Sequence, residues 1–391
     1  MKKILIVNKS FEVGGIQSAL INMANELCEY YEVHLFIYNP TGLLRERLDT
    51  RVKVLPSNWR FRCLGMSLKD AIKTRNIRMI MFRVAASLVT KLRDNELPLN
   101  MAIQHQPIMS GYDLAISYHQ EQPRKSVVSG FARVVDRCVE ANRKVAWLHY
   151  DSNTIDLDSK FNNPFYARMD KVVCVSKSLM NNFAKAYPQF SERMEYCYNF
   201  IPHGIIKEKS MEEQKVPFPK DKFVCFSACR LTGEKAIVRA LCAFADVLQM
   251  HDEVVWYIAG DGPERTDIEK TIQKLKLEKQ VVLIGNQSNP YPYIRNADLV
   301  MNVSYHEAAP MVFLESKALG TPVFATRTSS AEELLRDNID SFICENSEKG
   351  ICERFTEVVE NKHLVETARM QLTNYHASNA EAIAKINKMT L

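Results

Sequence analysis

Short aliphatic and β-branched runs alternate with amphipathic segments along almost the whole chain of 391 residues. The apolar runs predict strands at 3–8, 33–38, 113–117, 144–148, 171–175, 195–198, 223–228, 254–259, 281–284, 298–303 and 322–325. Helical periodicity covers 16–30, 67–75, 78–93, 176–187, 234–250, 264–275, 311–319 and 330–336. This alternation predicts an α/β fold with parallel sheets covered by helices on both faces.

The length of the chain favours two domains, because a single hydrophobic core rarely organises more than about 250–300 residues. The longest break in the alternation, 206–222, is polar, contains two prolines and is typical of an interdomain linker. We therefore predict two Rossmann-like, doubly wound domains at 1–204 and 205–371. Residues 372–391 are predicted as a C-terminal helix that packs back on the first domain.

The net charge of +5 is distributed unevenly. Residues 1–200 carry 28 Lys and Arg against 19 Asp and Glu, a net charge of +9, whereas the remaining residues have a net charge of −4. With 46% apolar and 25% charged residues, the composition excludes a disordered chain, a collagen and a small disulfide scaffold.

The sequence predicts a cytoplasmic location. After two lysines only Ile4 to Val7 are apolar, whereas a secretory signal needs about 7–15 such residues. No window approaches the ~18 apolar residues of a membrane span. The ten cysteines are scattered and lack zinc-ligand spacing, so we expect buried, reduced thiols and no metal site.

Ligands of open parallel sheets bind beyond the carboxyl ends of the strands, so the loops there are the candidate sites. After the first strand, Gly14-Gly15 precedes a helix whose free backbone N–H groups suit an anion, although an ordinary turn is an equal alternative. After 223–228, Arg230 and Lys235 suit a diphosphate, although ordinary solvated charges are the alternative.

Two glutamates after 298–303 give the strongest signal. Glu307 precedes a helix that Pro310 starts and Gly320 ends, and Glu315 lies inside that helix. A carboxylate among apolar residues costs free energy unless it binds polar groups, and sugar hydroxyls would serve. His149 directly follows the run 144–148, at the carboxyl edge of a predicted strand. A lone histidine at such a position is more often structural than catalytic.

In order and spacing, these stretches resemble the retaining GT-B glycosyltransferases of the glycosyl transferases group 1 family (glycosyltransferase family four). The matching stretches are Gly14-Gly15-Ile16, Trp147-Leu148-His149, Asp170 to Ser176, Tyr198-Asn199, Arg230 to Lys235, Gly260-Asp261-Gly262-Pro263 and Glu307 to Glu315. The resemblance is strong over 220–335 and looser over 1–200. It departs at Ser329-Ser330, where family members often carry two glycines.

The resemblance implies two Rossmann-like domains facing a cleft. The second domain would hold a nucleotide-diphosphate sugar, and the first would hold a saccharide or lipid-linked saccharide acceptor. The implied donor contacts are Gly14, Gly15, Arg230, Lys235, the backbone N–H groups of Met311, Val312 and Phe313, and Glu315. The implied catalytic groups are Glu307, His149, Arg230 and Lys235.

The resemblance implies that Arg230 and Lys235 stabilise the leaving diphosphate, so that no metal and no other cofactor is expected. Glu315 would bind the ribose, Glu307 would hold hydroxyls of the donor sugar, and His149 would position the sugar. The expected role is sugar transfer in cell-surface polysaccharide synthesis. The alternatives are a GT-B nucleotide-sugar epimerase, which would need further acid–base groups, and an inactive scaffold, which would tend to lose these charged residues.

A basic segment at 59–93 suggests a second partner. Residues 51–93 hold eleven Lys and Arg and one acid, Asp70. The apolar positions predict one helical stripe, formed by residues 68, 72, 79, 82 and 89. Such a surface suits an anionic inner leaflet, and ordinary solvated helices are the alternative. Nucleic acid is not expected, because the segment contains no recognised binding module.

Overall fold

The computed structural model describes residues 1–150 and 159–391. They form two compact units, Met1–Phe200 with Asn379–Leu391, and Ile201–Ser378. Each unit contains one parallel sheet with helices on both faces, which confirms the predicted α/β fold.

The first unit contains a sheet of seven strands. They are β1 (Lys3–Ser10), β2 (Glu32–Asn39), β3 (Lys53–Leu55), β4 (Met109–Ser117), β5 (Val139–Leu148), β6 (Lys171–Cys174) and β7 (Met194–Tyr196). Its helices are α1 (Gly15–Leu27), α2 (Trp59–Gly65), α3 (Leu68–Lys73), α4 (Ile77–Leu92), α5 (Glu96–Ile103), α6 (Phe131–Cys138), α7 (Ser159–Tyr166) and α8 (Lys177–Ala186). The strand order is β3-β2-β1-β4-β5-β6-β7, so the direction of winding reverses between β1 and β4.

The second unit contains a sheet of six strands. They are β8 (Phe223–Ala228), β9 (Val254–Ala259), β10 (Val281–Gly285), β11 (Leu299–Asn302), β12 (Val323–Thr326) and β13 (Ser341–Cys344). Its helices are α9 (His203–Lys209), α10 (Ile237–Met250), α11 (Arg265–Lys274), α12 (Tyr291–Asn296), α13 (Met311–Ala318), α14 (Ser329–Leu334), α15 (Glu348–Glu360) and α16 (Lys362–Thr373). The order β10-β9-β8-β11-β12-β13 places the reversal between β8 and β11.

The side chains of β8 show why its sequence is a continuous apolar run. Phe223 and Cys225 are buried in a cluster with α10, α11, α15 and α16. Val224 and Phe226 are buried in a second cluster with α9 and α12. A strand that is covered on both faces needs apolar residues at every position, as parallel sheets usually do.

The linker prediction for 206–222 is wrong in part. Ile206 lies in α9 and is fully buried against the sheet of the second unit. The Phe218 ring packs 4.7 Å from the ring of Tyr257 between centroids. Ile206 and Phe218 therefore pack within the second unit, although most residues around them in the sequence are polar.

The last helix, α17 (Ala380–Met389), belongs to the first unit. Lys385 Nζ donates to the carbonyl oxygen of Tyr196 at 2.7 Å. Lys2 Nζ donates to the carbonyl oxygen of Thr390 at 2.6 Å. The chain therefore returns to its N-terminal unit after completing the second one.

The predicted apolar stripe of 59–93 is wrong at several positions. The Phe82 ring packs on Trp59 at 5.3 Å, and Met79 and Val89 are half-buried. Arg83 is buried and donates from Nε to the Met66 carbonyl oxygen at 2.9 Å. Helix α4 has two apolar faces, and periodicity does not tell which of them packs against the rest of the unit.

In the described ranges, no helix is long and apolar enough to cross a bilayer.

The tight turn after β9 closes over the loop that follows β8. Leu231 N–H donates to the Asp261 carbonyl oxygen at 3.0 Å, and Glu264 N–H donates to the Leu231 carbonyl oxygen at 3.0 Å. Gly260 has a φ of +143°, and a Cβ there would overlap the Cys229 carbonyl oxygen. Only glycine fits this position without displacing backbone.

Replacing Gly260 by alanine should lower the free energy of unfolding by about 2 to 3 kcal/mol, because the φ angle and the backbone overlap both strain the variant. Urea unfolding followed by circular dichroism measures it. The control is Gly204→Ala in α9, where a Cβ meets nothing within 4 Å. Equal unfolding midpoints for the two variants would contradict the requirement for glycine at position 260.

Candidate active site

Two loops meet at the point where the winding of the second sheet reverses. One follows β8 and carries Arg230 and Lys235, and the other follows β11 and carries Glu307. Because β8 and β11 are adjacent parallel strands, their carboxyl ends lie side by side. The backbone joins the loops directly, since Tyr305 N–H donates to the Glu234 carbonyl oxygen at 2.8 Å. Such a reversal point is where doubly wound sheets bind ligands.

Lys235 and Glu307 form an ion pair at this point. Lys235 Nζ lies 2.6 Å from Glu307 Oε1, and the two side chains are only 20% and 10% exposed. Burial by itself would lower the pKa of Lys235, but the charge and hydrogen bond of Glu307 outweigh it and raise that pKa above its ordinary value. The lysine is therefore an ammonium ion at neutral pH.

The same carboxylate oxygen accepts two further hydrogen bonds. Ser304 Oγ donates to Glu307 Oε1 at 2.7 Å, and Asn302 Nδ2 donates to it at 3.2 Å. Asn302 is the last residue of β11, so the strand itself presents the amide. Three donors therefore hold one oxygen of a largely buried carboxylate, which offsets the cost of removing it from water.

Arg230 differs from Lys235 in being solvated. Its side chain is 68% exposed, and Nη2 lies 3.8 Å from Glu234 Oε1. An exposed pair of this length contributes little to stability. The guanidinium is thus a weakly held cation in the loop that also carries Lys235.

Helix α13 follows Glu307 directly. Pro310 occupies the position before its first turn, and Gly320, with a φ of +75°, follows its end. The Phe313 N–H donates to the Pro310 carbonyl oxygen at 3.2 Å, so this amide already has an acceptor within the first turn. Glu315 is half-buried, and the Tyr291 hydroxyl lies 3.5 Å from its Oε1. Ser329 and Ser330 begin α14, after β12.

Gly14 and Gly15 begin α1 at the corresponding reversal point of the first unit. Gly14 is extended, with a φ of 177°, and neither residue lies in the left-handed region. The backbone angles at Gly14 and Gly15 therefore do not by themselves require glycine. A Cβ at Gly15 would meet nothing within 4 Å, whereas a Cβ at Gly14 would lie 2.7 Å from Gln17 Oε1.

His149 directly follows β5 and is buried, and its Nε2 has no hydrogen-bond partner within the described part of the chain. Its backbone N–H donates to Gln120 Oε1 at 3.3 Å, and the Tyr150 N–H donates to the same oxygen at 3.0 Å. Burial, helped by the neighbouring His119, lowers the pKa of His149 to about 3. The ring is therefore a neutral imidazole at physiological pH.

The sequence analysis missed the His119-Gln120-Glu121 segment that follows β4. Glu121 is fully buried and accepts hydrogen bonds from the N–H groups of Gly130 and Ala132, both at 2.8 Å, at the start of α6. Gln120, in the same segment, accepts the backbone N–H groups of His149 and Tyr150 at its Oε1 and so joins the loop after β4 to the loop after β5. The signal was available, since three consecutive polar residues follow the predicted strand 113–117 after Tyr118.

The structure thus joins some predicted site residues and leaves others apart. Lys235 contacts Glu307, and Arg230 shares a loop with Lys235. Glu315 and the run Met311 to Phe313 lie on the helix that follows. His149, Gly14 and Gly15 belong to the first unit. Among the residues described, no group of three or more His, Cys, Asp or Glu side chains is arranged to hold a metal ion.

Comparison with known proteins identifies the second unit. Residues 208–377 match the family described as glycosyl transferases group 1. The alpha-monoglucosyldiacylglycerol synthase of Streptococcus pneumoniae is 29% identical over 188 residues, 45% of this chain and 41% of that protein. A 4-alpha-N-acetylgalactosaminyltransferase of Campylobacter jejuni, which acts on a diphospho-undecaprenol-linked saccharide, is 26% identical over 223 residues, 56% of this chain and 58% of that protein. The chain therefore spans about half the length of the curated relatives it matches.

Solved structures match both units. Anabaena HepE in complex with UDP has a TM-score of 0.65 and 17% identity, and the match covers 99% of each chain. A TarM variant of S. aureus has a TM-score of 0.68 and 14% identity, with 100% of each chain covered. Residues 208–377 thus match the glycosyl transferases group 1 family, and the two Rossmann-like units have the GT-B fold. The fold implied by the motifs is confirmed, and the match over residues 208–377 supports the family that the motifs implied.

The lowered pKa of His149 predicts a pH-dependent stability. The unfolded chain binds a proton at this residue near pH 6.5, whereas the folded chain does so only near pH 3. The free energy of unfolding should therefore fall as the pH drops below about 6.5, by up to about 1.4 kcal/mol per pH unit from this group.

His149→Asn should flatten this slope by that amount, as measured by urea unfolding between pH 6.5 and 4.5. His119, whose pKa burial lowers to about 4, keeps a residual slope in the variant. An unchanged slope in His149→Asn would show that the ring is not held neutral in the fold.

Proposed function

We propose that this chain is a retaining, metal-independent glycosyltransferase of glycosyltransferase family four. It would transfer a hexose-type sugar from a nucleotide-diphosphate sugar to a saccharide or lipid-linked saccharide. The observation that carries the proposal is the Lys235–Glu307 pair at the reversal point of the second sheet, with Arg230 in the same loop. Two cations and a fixed carboxylate suit a ligand that combines a diphosphate with sugar hydroxyls.

The donor would bind to the second unit. Arg230 is solvated and planar, so it can engage a diphosphate bidentately, while Lys235 adds a point charge. Backbone N–H groups of Met311 and Val312, at the start of α13, would contact the phosphate or the sugar. Glu315 would accept hydrogen bonds from the ribose. Solved relatives contain UDP and UDP-glucose, so UDP-sugars are the first donors to test.

Catalysis would consist mainly of stabilising the departing nucleoside diphosphate. The bond between the anomeric carbon and the phosphate oxygen breaks, and the acceptor oxygen bonds to the same face of that carbon. The departing phosphate takes the proton of the acceptor hydroxyl. Arg230 and Lys235 neutralise the charge that develops on the phosphate, a form of electrostatic catalysis that needs no metal. Glu307 would hold hydroxyls of the donor sugar and orient the anomeric carbon.

The acceptor would bind to the first unit, and Gly14 and Gly15 are donor contacts only as the resemblance implies. His149 would position the transferred sugar as a neutral imidazole. One curated relative is named as the synthase of a glucosylated diacylglycerol, and another is named for a saccharide linked to diphospho-undecaprenol. These names support a lipid-linked acceptor. The proposed role is in cell-surface polysaccharide synthesis on the cytoplasmic side of the membrane.

Lys235→Ala should lower kcat for donor turnover about 100-fold or more, because one of two groups that stabilise the leaving diphosphate is lost. The measurement is release of the nucleoside diphosphate from a panel of UDP-, GDP- and dTDP-sugars. Lys270→Ala, at an exposed lysine of α11, is the control and should retain wild-type turnover. The assignment fails if the folded wild-type protein turns over no donor, or if Lys235→Ala is as active as the control.

A surface of the first unit suits an anionic membrane. One face of α4 exposes apolar side chains at helical spacing, which we call the α4 stripe. It consists of Ile77, Met81, Val84, Leu88 and Leu92. Exposed cations lie close to it in the sequence, namely Lys69, Lys73, Arg75, Arg78, Lys91 and Arg93. Each cation contributes about 1 kcal/mol near an anionic surface, and the apolar face can enter the headgroup region.

Replacing Met81 and Leu88 of the α4 stripe by serine should reduce recovery on anionic vesicles several-fold in co-sedimentation at low salt. The matched control replaces Met211 and Met370, two exposed methionines of the second unit, by serine and should bind like wild type. Equal wild-type recovery on neutral and anionic vesicles would remove the membrane assignment.

A further inference from the structure

Arg239 lies on α10, one helical turn after Lys235, and reaches the loop that carries Glu307. Its Nη2 donates to the Val303 carbonyl oxygen at 2.8 Å. Its Nη1 donates to Asn346 Oδ1 at 2.8 Å, and its guanidinium lies 4.1 Å from the centroid of the Tyr305 ring. One side chain thus joins the loop after β11 to the loop after β13.

Three consecutive carbonyl groups of the loop after β11 are each held by a side chain from a different element. Arg239 of α10 holds Val303, as described. Thr326 Oγ1, at the end of β12, donates to the Ser304 carbonyl oxygen at 2.6 Å. Asn346 Nδ2 donates to the Tyr305 carbonyl oxygen at 2.9 Å. Because Arg239 also holds Asn346, it supports two of the three anchors.

These anchors fix the backbone from which Glu307 is held. Ser304 lies between two of the anchored carbonyls, and its hydroxyl donates to Glu307 Oε1. A shift of this backbone would move Ser304 Oγ away from the carboxylate and alter the Lys235–Glu307 pair. A planar guanidinium can serve the Val303 carbonyl and Asn346 together, which a lysine ammonium on a flexible stem does much less well.

We propose that Arg239 is a positioning residue that sets the geometry of the Ser304 to Glu307 segment for sugar transfer. It acts through the Val303 backbone and through Asn346, and this role rests on the proposed function. Loss of its hydrogen bonds should misplace Glu307 relative to the bound sugar. Since small displacements of reacting groups are costly, the effect should appear in kcat more than in donor affinity.

Arg369 provides a matched control. It lies on α16, is half-buried like Arg239, and its Nη2 donates to the Ala297 carbonyl oxygen at 2.7 Å, before the start of β11. Both arginines thus anchor a backbone carbonyl at an end of the same strand. Only Arg239 is at the end from which the Glu307 loop begins. Arg239→Met and Arg369→Met therefore separate loss of stability from loss of positioning.

The experiment compares Arg239→Met, Arg239→Lys and Arg369→Met with wild type in the full chain. Donor turnover gives kcat and KM, thermal unfolding gives Tm, and hydrogen–deuterium exchange follows a peptide spanning 303–310. Arg239→Met should lower kcat at least tenfold, leave donor KM within threefold and accelerate exchange of that peptide at least tenfold. Arg239→Lys should recover part of kcat, and Arg369→Met should keep kcat and exchange near wild type at a similar loss of Tm.

Two outcomes overturn the proposal. One is unchanged exchange of the 303–310 peptide in Arg239→Met. The other is an equal loss of kcat in Arg239→Met and Arg369→Met at equal Tm, which would indicate a structural role alone. If wild type turns over no nucleotide sugar, the proposed function fails, and the exchange comparison still decides whether Arg239 positions the loop.

Discussion

The ion pair between Lys235 and Glu307 is the interaction on which the candidate site depends. A carboxylate that is nine-tenths buried is unstable without hydrogen-bond donors, and the end of β11 supplies two of them beside the lysine. The pair also keeps the lysine protonated despite its burial. A preorganised cation and a fixed carboxylate are thus placed at the carboxyl edge of adjacent strands before any ligand arrives.

The two units have sheets of similar topology but carry different side chains at the carboxyl ends of their strands. Each sheet reverses its winding between two adjacent strands, and polar groups collect where those strands end. The second unit places charged groups there, in accord with a diphosphate ligand. In the first unit the amide of Gln120 follows β4, and the neutral imidazole of His149 follows the neighbouring strand β5. The uneven net charge of the sequence does not mark the proposed anion site, because Arg230 and Lys235 lie in the part of the chain with a net negative charge.

Much of the fold was predictable because buried parallel strands leave continuous apolar runs. The predictions 223–228 and 254–259 agree with β8 and β9 at both ends. The burial of Ile206 and the packing face of α4 were not predictable, since both depend on contacts between segments distant in sequence. At the candidate site, Lys235 and Glu307 were predicted from their positions in the loops after strands, but the ion pair between them was not predicted. Arg239 was missed because its partners, Val303 and Asn346, lie 64 and 107 residues away.

The most direct test of the account is a double-mutant cycle on UDP binding with Lys235→Met and Glu307→Gln, measured by calorimetry. If Glu307 competes with the diphosphate for Lys235, Glu307→Gln alone should tighten UDP binding, and Lys235→Met alone should weaken it. In the Lys235→Met background, Glu307→Gln should then have no effect, so that the two changes are strongly non-additive. Strictly additive effects, or UDP affinity that neither change alters, would contradict a diphosphate site built on this pair.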